Sequence, residues 1–492
     1  MRLLFTCISL FIASSLLAQY TTPDNGLTID FDYLVENSNG TVVMDGDDYL
    51  VTDSVTVSAT DILEETGDLL VKISPNALIT IQGGFTIDSE NGLTFTWAEE
   101  NSHYKGFRFE SGSVIDLNNA TFEYGGGLRV LTEDFTMDNC TVQYQEMIAS
   151  TGGALGFSDG TPSITNSTFI ENQTAAINSP ANGAFAPIID NCTFQFNGAS
   201  IVNKSQINLG PSGQDTIIIS NCTIEGHPDY IESGGIAVAL LAGGEGHAVI
   251  ENNEIFNNRY GIAAIGGNLT TLIVGNNIYD NNIQGEPLLG GSGINMSGTS
   301  QNMATVTENT ISGNLWGMTL QGETMANLGD TTEANFNPGL NVFEDNGNGG
   351  VTYALFNNTP NDLMAMNNCW MGEQEITVED AESVISHQFD DEELGLVTFT
   401  PLGCVDPIGV EEIELAAVTV YPVPTSGQLS ISAESQVQYY RIFSISGRMI
   451  DEGKSATASN ETDIDVSGLN SGAYILQVET ANGLKTIRFV KE

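Results

Sequence analysis

Residues 304–318, ATVTENTISGNLWGM, set the pattern for most of the chain. Two polar residues lead to Thr310 and the apolar Ile311; three residues on stands Asn314, followed by a small-plus-apolar pair, Gly317-Met318. The template recurs as NCTFQFNGASI at 191–201 and NSTFIENQTAAI at 166–177, and more loosely at 221–231, 252–262 and 276–281. Its central apolar residue is, in successive copies, Phe122, Val142, Phe169, Phe194, Ile224, Ile255, Ile278, Ile311, Phe343 and Trp370, at gaps of 20 to 33 residues. A repeat of that length cannot bury a core alone, so neighbouring copies must stack.

The residues also say what kind of repeat this is. The apolar pieces are short, rich in β-branched and aromatic residues, and cut by Asn and Gly, which excludes stacked helix pairs. Three residues past the anchors stand Asn172, Asn197, His227, Asn258, Asn281, Asn314 and Asn346. Two residues before them stand Cys140, Ser167, Cys192, Cys222, Asn253, Asn276, Asn309, Asn341 and Asn368. Small polar residues at fixed offsets mean turns of fixed shape, because Asn tolerates left-handed backbone and bonds nearby backbone groups. Stacked amides can also bond along a column; His227 is read as one more rung. Identical turns about 4.8 Å apart around an apolar bore make a parallel β-helix. Over about 45–401 the sequence resembles the right-handed parallel β-helix proteins of the pectate-lyase-like superfamily.

Composition bounds the partners. The 492 residues carry 13 Lys and Arg against 63 Asp and Glu, a formal charge of −50. Only Lys72, Lys105, Arg108, Arg129, Lys204 and Arg259 are basic between 20 and 410. Such a surface repels nucleic acid and anionic membranes, and polyanionic substrates unless cations bridge. Calcium is the candidate ion, at Asp45, Asp47 and Asp48 or at Asp390 and Asp391, although neither cluster has EF-hand spacing. Residues 1–18, with Arg2 ahead of an apolar core, read as a secretory signal peptide. No later stretch is apolar enough to span a membrane, and a monomer is expected. Cys140, Cys192 and Cys222 share one column, where a small buried thiol packs well. Cys369 and Cys404 flank the end of the repeats and are candidates for a disulfide in an oxidising compartment.

Residues 19–44 read as a polar lead-in and 45–404 as the solenoid with its closing segment. Tyr104 to Phe109, YKGFRF, resembles the strand that opens the regular repeats of such proteins, and Met366 to Gly372, MNNCWMG, resembles their closing signature. A capping helix is expected at 379–389, with His387 structural. An acidic linker, 405–417, precedes Tyr421-Pro422-Val423-Pro424-Thr425-Ser426-Gly427. That entry, followed in order by a strand ending in Gly447, by Leu469, by Gly472 and Tyr474, and by a last strand to Lys491, resembles the type A C-terminal sorting domain of the type IX secretion system. The segment reads independently as a small β-sandwich of alternating strands, 418–492, holding six of the 13 basic residues. The resemblance implies handling by that secretion machinery in a Bacteroidetes-type bacterium, and delivery to the outer-membrane surface or the extracellular space.

Catalytic signals are sparse. The ordered carboxylate, histidine and Arg-x-Lys motifs of polygalacturonase-type hydrolases are missing, and six basic residues leave few candidates for the base of a lyase. The richest stretch is 225–259, with His227, Asp229, Glu232, His247, Glu251 and Arg259 as candidate catalytic residues; Arg259, beside Asn258, reads as a solvated turn cation. The Asn-x-Thr sequons at Asn119, Asn139, Asn166, Asn191 and Asn221 read as turns of the ladder. Two functions follow: a secreted or surface-displayed solenoid that contacts glycans or surfaces along one face, or an extracellular polysaccharide lyase or glycoside hydrolase.

Overall fold

A regular coil of this protein is three short strands and two sharp bends. Gly153–Phe157, Ser163–Thr165 and Thr168–Ile170 form one such coil. Asn119, Asn139, Asn166, Asn191, Asn221 and Asn252 make the first bend. Tyr124, Tyr144, Glu171, Phe196, Asn257, Asp280 and Asp345 make the second. All have φ between 48° and 61°. Asn meets this left-handed geometry at least cost among residues with a side chain, and Gly275 and Gly313 take it in two coils. The computed structural model describes residues 19–146, 152–199, 203–404, 418–433, 435–444, 449–454, 459–480 and 483–491. The expected signal peptide, the acidic linker and Gly447 lie outside them.

Pairing runs strictly from one coil to the next and in parallel. The first strands of the coils form a 14-stranded sheet from Tyr20–Thr21 to Ile385–Ser386. The second and third strands run beside it as two further ribbons. The anchors stack in register: Val142 on Phe169 on Phe194 on Ile224 on Ile255 on Ile278 on Ile311 on Phe343. One apolar cluster fills the bore continuously from Ile29 to Phe399. Among the described residues no helix is long and apolar enough to cross a membrane.

The ends differ from the sequence reading. Residues 20–44 are not a lead-in but the first coil and its lid. Tyr20–Thr21 pairs with Val55 and Thr56, and Thr28–Ile29 with Ile62 and Leu63. Helix α1 (Phe31–Asn37) starts at Asp30, whose side chain accepts from the Tyr33 N–H, and buries Phe31 and Leu34 over the open bore. Glu65 Oε1 accepts from the Phe31 N–H at 2.6 Å, while burial, and the neighbouring Asp30 and Asp32, push its carboxyl up to about 7.

At the other end, helix α2 (Val378–Glu382) is shorter than the expected 379–389. A capping box between Thr377 and Asp380 starts it. Beyond it Val384 and Ile385 turn into the bore, and Ile385–Ser386 adds the last strand of the first sheet. His387 is fully buried; Nδ1 accepts from the Val397 N–H, so Nε2 faces Glu382 Oε1, 2.9 Å away, as donor. Cys369 and Cys404 are joined in a disulfide across this closing segment.

The C-terminal domain packs a three-stranded against a four-stranded antiparallel sheet over Leu429, Ile431, Ile442, Leu476, Val478 and Phe489. Thr425 is the hinge pin of its entry. Its N–H donates to Val490 O and its hydroxyl to Gln428 O, which ties Pro422, Pro424 and Gly427 to the strand ending at Lys491. Tyr474 stacks on Phe489 and donates to Asn470 O, Gly472 opens that strand at φ 151°, and Leu469 packs on the core. Tyr421 is exposed.

Candidate functional site

The amide columns are continuous hydrogen-bonded ladders. Asn314 Oδ1 accepts from both the backbone N–H and the Nδ2 of Asn281, at 3.0 and 3.3 Å. Its own N–H and Nδ2 donate to Asn346 Oδ1, at 3.1 and 2.9 Å. Asn172 hands on to Asn197, and Asn258 to Asn281, in the same way. Between Asn197 and Asn258 the rung is Gln206, not His227: Gln206 Oε1 accepts from Asn197, and its Nε2 donates to Asn258 Oδ1 at 2.9 Å. A rung needs an acceptor and a donor pair on one small group. An imidazole carries one of each on opposite edges, so it cannot replace an amide here. His227 instead turns outward and lies against Tyr230 and Phe196, with ring centroids 4.4 and 5.1 Å away.

The six candidate catalytic residues are spread over several places. Asp229 is largely exposed, its N–H donating to His227 Nδ1; Glu232 is half-buried in the next turn. His247 and Glu251 lie on the outer side of the second ribbon. His247 Nε2 is 3.4 Å from Glu245 Oε1. Glu251 is buried beside Arg488 of the C-terminal domain, and burial pushes its carboxyl up against the pull of that guanidinium. Arg259 is not a solvated turn cation: it is buried and holds the loop after Asn282 through Gln284 Oε1 at 2.7 Å and Leu289 O at 2.6 Å.

The acidic clusters also have internal partners. Asp45 and Asp48, at the base of a hairpin with Asp47 at its tip, both clasp Lys72 Nζ, at 3.0 and 2.8 Å. Asp390 accepts from the His387 N–H and Asp391 from the Glu393 N–H, closing a turn. Among the described residues no three His, Cys, Asp or Glu side chains gather in a metal-binding group. Burial pushes the Cys140 thiol up to about 12 and raises Cys222 as well, the mark of packing rather than reactivity.

A different face collects what the sequence left scattered. Along the outside of the first sheet one register position reads Thr80, Arg108, Arg129, Gly156, Asn178, Asn208. Arg108 pairs with Glu110, but among the described residues Arg129 donates only to Ser158 Oγ, at 2.8 Å, and desolvation and Arg108 hold its pKa down. Lys204, four residues before Asn208 on the same strand, donates to Gly152 O, and burial lowers its pKa. Asn208 Nδ2 donates to Asn178 Oδ1 at 2.9 Å. At the bend that feeds this sheet, Trp97, Tyr124 and Tyr144 stack face to face, 3.9 and 4.9 Å apart and half-exposed. Three of the solenoid's six cations thus share one face with an aromatic stack.

Comparison with known proteins agrees with this architecture. The model for a right-handed beta helix region matches residues 83–240 and 158–379, together more than half of the chain, and the model for a secretion system C-terminal sorting domain matches 419–492. No curated protein matches the chain. Among solved structures, a double mutant of the periplasmic alginate epimerase AlgG is similar at TM-score 0.41 and 11% identity, over 77% of this chain and 84% of that one. Tailspike protein 2 of the Escherichia coli O157:H7 bacteriophage CAB120 is similar at TM-score 0.29 and 10% identity, over 90% of this chain and 59% of that one.

Proposed function

Because this chain belongs to the right-handed β-helix family and ends in a secretion-system sorting domain, we propose that it is exported to the cell surface or beyond by type IX secretion and there holds a polysaccharide along the first sheet of its solenoid. The observation that carries this reading is the in-register row from Arg108 to Asn208 beside the Trp97–Tyr124–Tyr144 stack. Strands repeat about 4.8 Å apart, so the row offers a hydrogen-bonding group or a gap at every coil to an extended chain of hydroxyl-bearing rings. The stacked aromatics offer flat apolar faces with polar edges. Arg108 and Arg129 bring guanidinium groups to the row, and Arg129, which pairs with no carboxylate among the described residues, suits paired oxygen acceptors. In a chain of charge −50 they also make this the face least hostile to an acidic sugar.

A panel of neutral and acidic polysaccharides, tested for binding to the full chain with and without calcium, checks the proposal. One polymer should bind, and Tyr124→Ala with Tyr144→Ala should weaken it at least tenfold. Absence of binding across the panel would overturn the reading. Lyase or hydrolase activity is the alternative; the feature in its favour is Lys204, a partly buried amine on the same face whose pKa burial lowers. Unsaturated-product absorbance or new reducing ends on the bound polymer would replace contact with catalysis.

A further inference from the structure

The outer row of the second ribbon changes character part-way along the solenoid. It is polar at Thr136 and Ser163, aliphatic at Ile188, Ile218, Val249 and Leu272, and polar again at Thr305, each in register with the next. These side chains point away from the bore, which their neighbours Ile217, Ile219, Ile250 and Ile273 line. Val249 is nevertheless fully buried, and Ile218 and Leu272 are 3% exposed. Ile188, at the edge of the row, is half-buried, but the three successive outward positions after it are closed off from water and so have a cover.

The cover is the C-terminal domain. Along its strand Gly472–Thr480, alternation sends Tyr474, Leu476 and Val478 into that domain's own core. Ala473 and Ile475 point the other way and join Val249, Leu272 and Val274 in a separate apolar cluster. Arg488, in register with Ile475 on the next strand, reaches Glu251 Oε1 at 2.5 Å. The charge match is local: that pair sets a cation of the C-terminal domain against a carboxylate of the acidic solenoid.

We propose that the aliphatic row is a built seat for the chain's own C-terminal domain, which is carried docked, its four-stranded sheet over Val249 and Leu272 and its orientation fixed by Arg488 on Glu251. The two domains then travel as one body rather than as beads on a linker, and loss of the C-terminal domain uncovers an apolar strip that is hidden before. The sequence itself encodes both halves of the seam: outward aliphatics in successive coils of the solenoid, and Ala473 and Ile475 on the outer face of the tail.

Cysteine pairs in the full-length chain test this. Val249→Cys with Ala473→Cys should form an intramolecular cross-link on mild oxidation, at a yield independent of protein concentration. Asn208→Cys with Ala473→Cys, on another face, should not. Arg488→Glu should lower the first yield at least threefold, and adding Glu251→Arg should restore it. Equal yields from the two pairs would overturn the proposal, as would a failure of the charge exchange to restore the link. Cross-links only between chains would also overturn it, by assigning the seat to another copy's tail. Because a buried cysteine can disturb packing, small-angle scattering of Leu272→Asp serves as a second measurement. The outward substitution leaves the bore intact, so circular dichroism should be unchanged while the radius of gyration rises above that of the parent. An unchanged radius would likewise refute the seat.

Discussion

The bore of the solenoid is filled in two ways. Towards the amino end, rings meet rings: Phe95 and Phe107 lie edge to face at 4.9 Å, Phe95 stacks on Phe122 at 5.1 Å, and Phe107 meets Phe122 edge-on at 5.2 Å. From Ile255 to Ile311 the same space holds aliphatic anchors walled by two amide ladders, before Phe343 and Trp370 close the far end. A ring can tilt to fill a coil of uneven shape, and the coils there are uneven. The strand Gly84–Trp97 runs 14 residues, and the pairing beside it shifts register between Asn118 and Ala120. An amide rung cannot adapt in that way, because its donors must meet the next carbonyl at about 3 Å. The ring-filled half therefore tolerates irregularity, whereas the amide-walled half enforces a repeat.

Substitutions can break or sharpen that contrast. Phe107→Ala should cost the most, about 3–5 kcal/mol, since the uneven amino-terminal coils depend on that ring cluster; chemical denaturation should show the loss as a lower midpoint. Asn314→Ala strands the backbone N–H of Asn281, takes one acceptor from the Asn281 amide and leaves Asn346 Oδ1 with the residue-314 N–H alone, so about 3 kcal/mol is expected despite the small volume change. A loss below 1 kcal/mol would mean that the ladder is ornamental. Gln206→Ala should cost about 2 kcal/mol, while His227→Ala stays within about 0.5 kcal/mol, because only Gln206 is a rung. The reverse ranking in thermal melts would restore His227 to the column.

The smallest effect concerns pH. Glu65, raised to about 7 in the folded chain because burial disfavours its charge, sits under the lid at least cost when protonated, against the pull of the Phe31 N–H toward the charged form. Its contribution is complete below about pH 4.5 and fades as pH rises through about 7, on the order of 1 kcal/mol after allowance for solvent. Glu65→Gln should flatten that slope, and equal slopes for the two proteins would show that the carboxyl does not control the lid. The ladders, built of amides, should show no such slope.

This contrast also explains what could be read from the sequence. The template at 304–318 is visible because rungs demand Asn at fixed offsets from the anchor. The misreading of His227 came from the same rule: spacing marks where a rung belongs, but Gln206 enters from the following strand of the first sheet, out of phase with the anchor. The first coil was hidden because its strands, Tyr20–Thr21 and Thr28–Ile29, are two residues long and carry no rung, although Asp30 ahead of Phe31 and Leu34 is a helix-start signal. Arg108, Arg129, Asn178 and Asn208 could not be aligned beforehand, since coils of unequal length give no fixed spacing between positions that register brings together. The Tyr421 to Gly427 entry was legible because its turn is shaped locally, by its prolines and by the Thr425 hydroxyl on Gln428 O three residues on, while its bond to Val490 O could not be read from spacing.

The Cys369–Cys404 link has a further consequence. A stack whose layers lean only on their neighbours comes apart from its free ends. At the carboxyl end a covalent clasp holds the final layer shut over Trp370 and Phe399; at the amino end the lid is one short helix held by Phe31 and Leu34 in the bore and by hydrogen bonds to Glu65 and Tyr49. Unravelling thus has a direction. Heat, proteases or mechanical pull should peel the molecule from its amino end, so that the layers nearest the clasp are the last to go.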